Sequence, residues 1–78
     1  MDTDSALAVL DDALHRCRKE DVRTPDVFAA LDFLEARATQ KWPFDQFRRG
    51  LESADPEGKW QILNASLNGI QLAIKDNK

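Results

Sequence analysis

His15 and Cys17 stand two residues apart, and a thiol held beside an imidazole can become a thiolate nucleophile. A helix rotates such neighbours about 200° from one another, so neither could activate the other. Cys17 falls on the apolar side of its segment and is expected to be buried and inert. His15 lies among Asp11, Asp12 and Arg16 and is expected to be solvated. There is no glycine-rich phosphate loop, no His-Glu-x-x-His and no Asp-rich calcium loop. A single cysteine excludes an intrachain disulfide and a Cys-rich metal site. No catalytic residue, cofactor-binding residue or metal ligand is assigned, and a non-enzymatic protein is expected.

The other chemically suggestive stretch runs from Lys41 to Arg49, KWPFDQFRR, where three of the six aromatics fall within six residues and two arginines follow. Aromatic faces with nearby arginine could hold a peptide, a phosphate or a nucleic-acid base. The spacing also fits a simpler role. Phe44, Phe47 and Leu51 recur at i, i+3 and i+7, one face of a short helix. Trp42 lies on the extension of the preceding helix's apolar stripe. The expectation is a hydrophobic plug closing one end of a bundle, with Trp42 and Phe47 as core residues.

Local punctuation places these residues on four helices. Thr24-Pro25-Asp26 and Asp55-Pro56-Glu57 share one grammar: a capping oxygen, a proline that needs no N–H in the first turn, and an acid at the positive helix end. Trp42-Pro43 is a third break, because a residue before proline is pushed from helical angles. Gly50 suits the left-handed position after a short helix. The reading is helix one from about Asp4 to Glu20, helix two from Pro25 to Lys41, a short third from Pro43 to Arg49, and helix four from Pro56 to Lys75. The expected fold is all-α, a small single-domain bundle over 1–78 (ordered core about 4–75) in long-long-short-long order.

The helices differ in what they can bury. Helix one is one-sided: Ala6, Leu7, Val9, Leu10, Ala13, Leu14 and Cys17 form its apolar arc. Helix two carries a stripe of Val27, Ala30, Leu31, Leu34 and Ala38. Phe33 points away from that stripe, either to cover a neighbouring loop or to meet a partner. Helix four has no charge from Trp60 to Ile74. Trp60, Leu63, Leu67, Ile70 and Ile74 form its bulkiest seam, expected to pack on helices one and two. Beside it, Ile62, Ser66, Gly69 and Ala73 form a strip of mostly small residues, suited to close approach by a second helix of the same chain or by a symmetry mate. Asn64, Asn68 and Leu72 form the rim. These eight residues, counting Phe33, are the candidate interaction surface, since such a helix is either central in its own bundle or completed by another chain.

Composition narrows the partner. The 78 residues carry net charge −3, with 42% apolar and 32% charged residues, a globular balance. Nine acids stand against six bases through Lys41 and five against five beyond it. With no basic stripe, a nucleic-acid or anionic-membrane partner is not expected. The acidic start Met1-Asp2-Thr3-Asp4 does not read as a signal peptide, and no apolar run approaches the roughly 20 residues that span a bilayer. A cytoplasmic protein is therefore expected. Carriage of a prosthetic arm, as in acyl carriers, would need an Asp-Ser-Leu at the start of helix two, where Arg23-Thr24-Pro25-Asp26 stands instead. The function expected is protein–protein interaction in a regulatory, adaptor or assembly role, with another protein or a second copy as partner. The alternative is a helix-turn-helix-like regulator in which Pro43–Arg49 reads nucleic acid and Arg48, Arg49, Arg16, Arg18 and Lys19 converge.

Overall fold

Three of the helices start where a side chain satisfies a free backbone N–H group, and the one that follows Lys41 has no side-chain cap. In the computed structural model, which describes residues 1–76 with side chains through Ile74, four helices form: α1 Thr3–Arg16, α2 Pro25–Glu35, α3 Trp42–Leu51 and α4 Pro56–Asp76. Residues 77 and 78 of the expected domain lie outside the described residues. Asp2 caps α1 by accepting from the Ser5 N–H at 2.7 Å. Thr24 caps α2 through Val27 at 3.3 Å, and Asp55 caps α4 through Gly58 at 3.1 Å. The fold is all-helical over the described residues, and the third helix, with 10 residues, is the shortest.

Helix ends depart from expectation. α1 stops at Arg16, not Glu20, because the N–H groups of Lys19 and Glu20 both return to the Arg16 carbonyl in a turn. That turn lets Val22 enter the core, where it is buried. α2 stops at Glu35, six residues before Lys41. The Arg37 and Ala38 N–H groups tighten onto Leu34 and Glu35, and the Arg37 guanidinium donates to the Phe33 carbonyl at 3.1 Å. The chain then crosses to α4, where the Thr39 hydroxyl donates to the Ala73 carbonyl at 3.3 Å.

α3 is longer than expected at both ends. Trp42 is its first residue and Pro43 its second, a position where the missing N–H of proline costs nothing. Gly50 does not end the helix in a left-handed conformation. It lies inside α3, and no described glycine has positive φ.

The helices pack as two pairs, α1 on α2 and α3 on α4, with α1 against α4 joining them. The main neighbour of α4 is thus α3, and of the two helices its seam was expected to meet, α1 contacts α4 less extensively. A single core cluster unites Leu10, Leu14, Leu31, Leu34, Phe44, Phe47, Leu51, Leu63 and Ile70. Arginine bridges stitch the pairs outside it. Arg18 reaches Glu57 at 2.9 Å and Arg23 reaches Glu52 at 3.3 Å. Arg48 holds Glu35 at 2.7 Å and Asp32 at 3.0 Å, and these carboxylates raise its pKa, Glu35 foremost.

Most exposed ion pairs contribute little. Arg48 and Glu35 are both half-buried, so removing the guanidinium leaves a carboxylate partly desolvated without its main partner. Arg48→Met is expected to cost about 1–2 kcal/mol, read by urea denaturation. A loss near zero would reduce this bridge to an ordinary surface pair.

Candidate interaction surface on the third and fourth helices

α3 has two faces with different fates. Pro43, Phe44, Phe47, Gly50 and Leu51 are buried. Trp42, Asp45, Gln46 and Arg49, at i, i+3, i+4 and i+7, share the opposite face and line an open groove of about 350 Å³. Trp42 is 54% exposed, so it is not the core residue its spacing implied. That expectation assumed a helix two reaching Lys41. With α2 ending at Glu35, the stripe Trp42 was meant to extend stops short, and Trp42 begins α3 instead. Its indole N–H donates to the Gln40 side-chain oxygen at 2.7 Å. Phe47, by contrast, is fully buried as expected.

The placement of Trp42 depends on a glycine. A Cβ built on Gly69 would lie 2.9 Å from the far edge of the Trp42 ring and 3.0 Å from Pro43 Cβ. One built on Gly50 would lie 2.8 Å from Ile62 Cγ2 and 2.9 Å from Leu63 Cδ2. The start of α3 therefore lies against Gly69 and its end against Ile62, so the two helices run antiparallel. The small residues permit the close approach.

This geometry assigns the strip on helix four. Of the two partners it could have met, a helix of the same chain covers it. Ser66, Gly69 and Ala73 are buried, and Ile62 is half-buried. The Ser66 hydroxyl is satisfied by donating to the Ile62 carbonyl at 2.6 Å. Asn64 is half-buried, whereas Asn68 and Leu72 are exposed, Leu72 by 61%. Leu72 lies one turn beyond Gly69, on the flank of α4 that also exposes Ala65. Phe33 is half-buried against the core, with the Arg37 guanidinium 3.7 Å from its ring centre, so the chain covers much of this ring itself.

The structure thus brings Gly69 of the predicted surface to Trp42, leaves Leu72 exposed one turn further along α4, and covers much of Phe33 with the chain itself. Sequence reasoning missed the outward face of α3. Its signal was available in Trp42, Gln46 and Arg49, which fall on the side opposite Phe44, Phe47 and Leu51.

The charges around this surface are unevenly matched. Arg48 is held by three carboxylates: Glu35, Asp32 and, at 3.5 Å, Asp45. Arg16 is paired with Asp12 and Glu20, and Arg18 with Glu57. Arg49 makes no ion pair among the described residues. No protein family, no curated protein and no solved structure matches this chain.

The two residues with nucleophilic or basic chemistry remain apart. His15 is exposed, with Nδ1 2.8 Å from the Asp11 carbonyl. Cys17 is buried and its thiol donates to the Leu14 carbonyl at 3.2 Å. Burial pushes that thiol's pKa up, which lowers its thiolate fraction. Cys17 is accordingly expected to resist an aromatic disulfide reagent in the native protein and react fully in urea. Rapid native labelling would show that the end of α1 opens readily. No group of three or more metal-ligating side chains occurs among the described residues, and no described helix is long and apolar enough to cross a membrane.

Proposed function

We propose that this chain is a non-catalytic helical module of the cytoplasm that acts by binding protein, in a regulatory, adaptor or assembly role. The observation that carries the reading is the exposed Trp42, which shares the outward face of α3 with Arg49. Among the other aromatics Phe44 and Phe47 are fully enclosed, Phe33 and Trp60 are half-covered beneath arginines, and Phe28 is exposed but less so than Trp42, at 38% against 54%. A tryptophan left more than half exposed while smaller apolar residues are buried is a feature of contact surfaces. Tryptophan and arginine are also the residue types that most often dominate binding energy. The surface is the face formed by α3 and the adjoining flank of α4. It keeps Leu72, with Asn68 at the rim, from the sequence-derived set, and adds Trp42, Gln46 and Arg49.

The distribution of charge weighs against the nucleic-acid reading. Arg16, Arg18 and Arg48 are engaged by carboxylates of the chain itself, so they offer little to phosphates. Micromolar binding to a short duplex near 150 mM salt would reverse this judgement.

The binding reading is tested by presenting the wild-type chain and Trp42→Ala, both shown to be folded by circular dichroism, as baits to a lysate of the source cell. Proteins retained by the first and lost by the second are expected. Identical retained sets would move the contact surface away from Trp42.

A further inference from the structure

The binding reading leaves the partner open, and the outward face of α3 narrows it. Asp45 and Arg49 stand one helical turn apart on that face. Among the described residues, Asp45 is exposed and its only ion pair is the 3.5 Å contact with Arg48, while Arg49 has none. The two charges sum to zero, so this face approaches a second copy without the repulsion that a chain of net charge −3 meets elsewhere. On α1, by comparison, Asp4, Asp11 and Asp12 crowd the exposed surface.

A two-fold axis has a specific consequence here. If residue i of one copy meets residue j of the other, then j of the first meets i of the second, so a face that pairs with itself must be self-complementary. If the axis crosses α3 midway between Asp45 and Arg49, the acid of each copy meets the base of the other, twice. The copies of α3 then run antiparallel, and each Trp42 is drawn toward the C-terminal end of the opposing α3. The exposed flank of α4 beside it, with Ala65, Asn68 and Leu72, brings no charge to oppose the contact.

We propose that the occupant of this face is a second copy of the same chain, in a two-fold homodimer closed by reciprocal Asp45–Arg49 pairs over Trp42. This rests on the protein-binding reading above and specifies its partner.

The test is a charge-swap series followed by sedimentation, with circular dichroism as the folding control. The wild-type chain is expected to dimerise. Asp45→Arg sets two arginines against each other across the axis, and Arg49→Glu sets two acids, so each variant alone is expected to dissociate at least tenfold more readily. Mixed in equal amounts they are complementary again, and the mixture is expected to recover a heterodimer of near wild-type affinity. Trp42→Ala is expected to weaken the dimer while remaining folded, and stands in if a charge variant fails to fold. A wild-type chain that stays monomeric up to about 1 mM overturns self-pairing. So does a dimer insensitive to these substitutions, or a mixture that does not recover. A monomer that still loses lysate partners on Trp42→Ala would overturn the homodimer alone and leave the binding reading standing.

Discussion

Phe47→Ala is expected to cost about 3–5 kcal/mol, and Trp42→Ala only about 1 kcal/mol. The two residues lie five apart on one short helix, and their side chains have opposite fates. Phe47 is fully enclosed in the cluster formed with Phe44, Leu51, Leu63 and Ile70. Its removal loses the transfer free energy of the ring and leaves a cavity that neighbours on rigid helices fill only partly. Trp42 keeps more than half its surface in water and covers only the edge of α4 near Gly69. A domain of this length has a total stability of roughly 5–10 kcal/mol. Phe47→Ala should therefore be close to unfolding at room temperature, whereas Trp42→Ala should melt as a cooperative, nearly wild-type protein. Urea titrations followed by helical circular dichroism measure both. Equal, large losses would return Trp42 to the core and remove the basis for a contact surface there.

Gly50→Ala is expected to destabilise by about 1–2 kcal/mol, against the direction of helix propensity. Alanine in a helix interior is favoured over glycine by about 1 kcal/mol, and Gly50 occupies such an interior. The added methyl, however, would sit 2.8 Å from Ile62 Cγ2, 3.2 Å from Ile62 Cβ and 2.9 Å from Leu63 Cδ2. Ile62 is β-branched and has little freedom at χ1, and Leu63 is fully buried, so the two helices must separate. Overpacking of this kind costs about 1–3 kcal/mol and here exceeds the gain in propensity. Gly69→Ala makes a useful contrast. Its closest clash is with the far edge of the Trp42 ring, which lies at the surface and can swing outward, while the buried Pro43 Cβ at 3.0 Å must give by a few tenths of an ångström. It is expected to change stability by less than about 1 kcal/mol while increasing the exposure of Trp42, visible as a red shift in fluorescence. A stabilised Gly50→Ala variant would mean that α3 and α4 part more easily than their packing suggests.

The candidate surface was only half legible before folding. Helix four signalled it through its uncharged length, and Leu72 and Asn68 do lie exposed on α4. Ser66 and Ala73 read as equally available, because a strip of small residues looks the same whether a helix of its own chain or another chain covers it. Here α3 covers it. Phe33 departs from the stripe of α2 and could have met either a loop or a partner, and it lies half-buried with Arg37 over its ring. No pattern within α2 could announce that cation, since its position follows from where the helix stops.

Local sequence alone determined where α2 and α4 begin and which side of α1 is apolar. Capping by Thr24 and Asp55, like the placement of Pro25 and Pro56, involves residues within one turn, so its energetics are complete before any tertiary contact forms. The period of Leu10, Ala13, Leu14 and Cys17 likewise defines a face without reference to its neighbours. Tertiary structure decided the rest. The Ala-Arg-Ala stretch after Glu35 could have continued α2, but the chain had to turn there to carry α3 onto α4. Gly50 became a site of helix contact instead of a helix end, because the close approach to Ile62 and Leu63 needs a residue without a side chain. Trp42 went to the surface because both helices beside it had already filled the core with Phe44, Phe47 and Ile70. Which apolar residues a small bundle leaves outside depends on the volume its helices enclose together, a quantity no single helix carries in its own pattern.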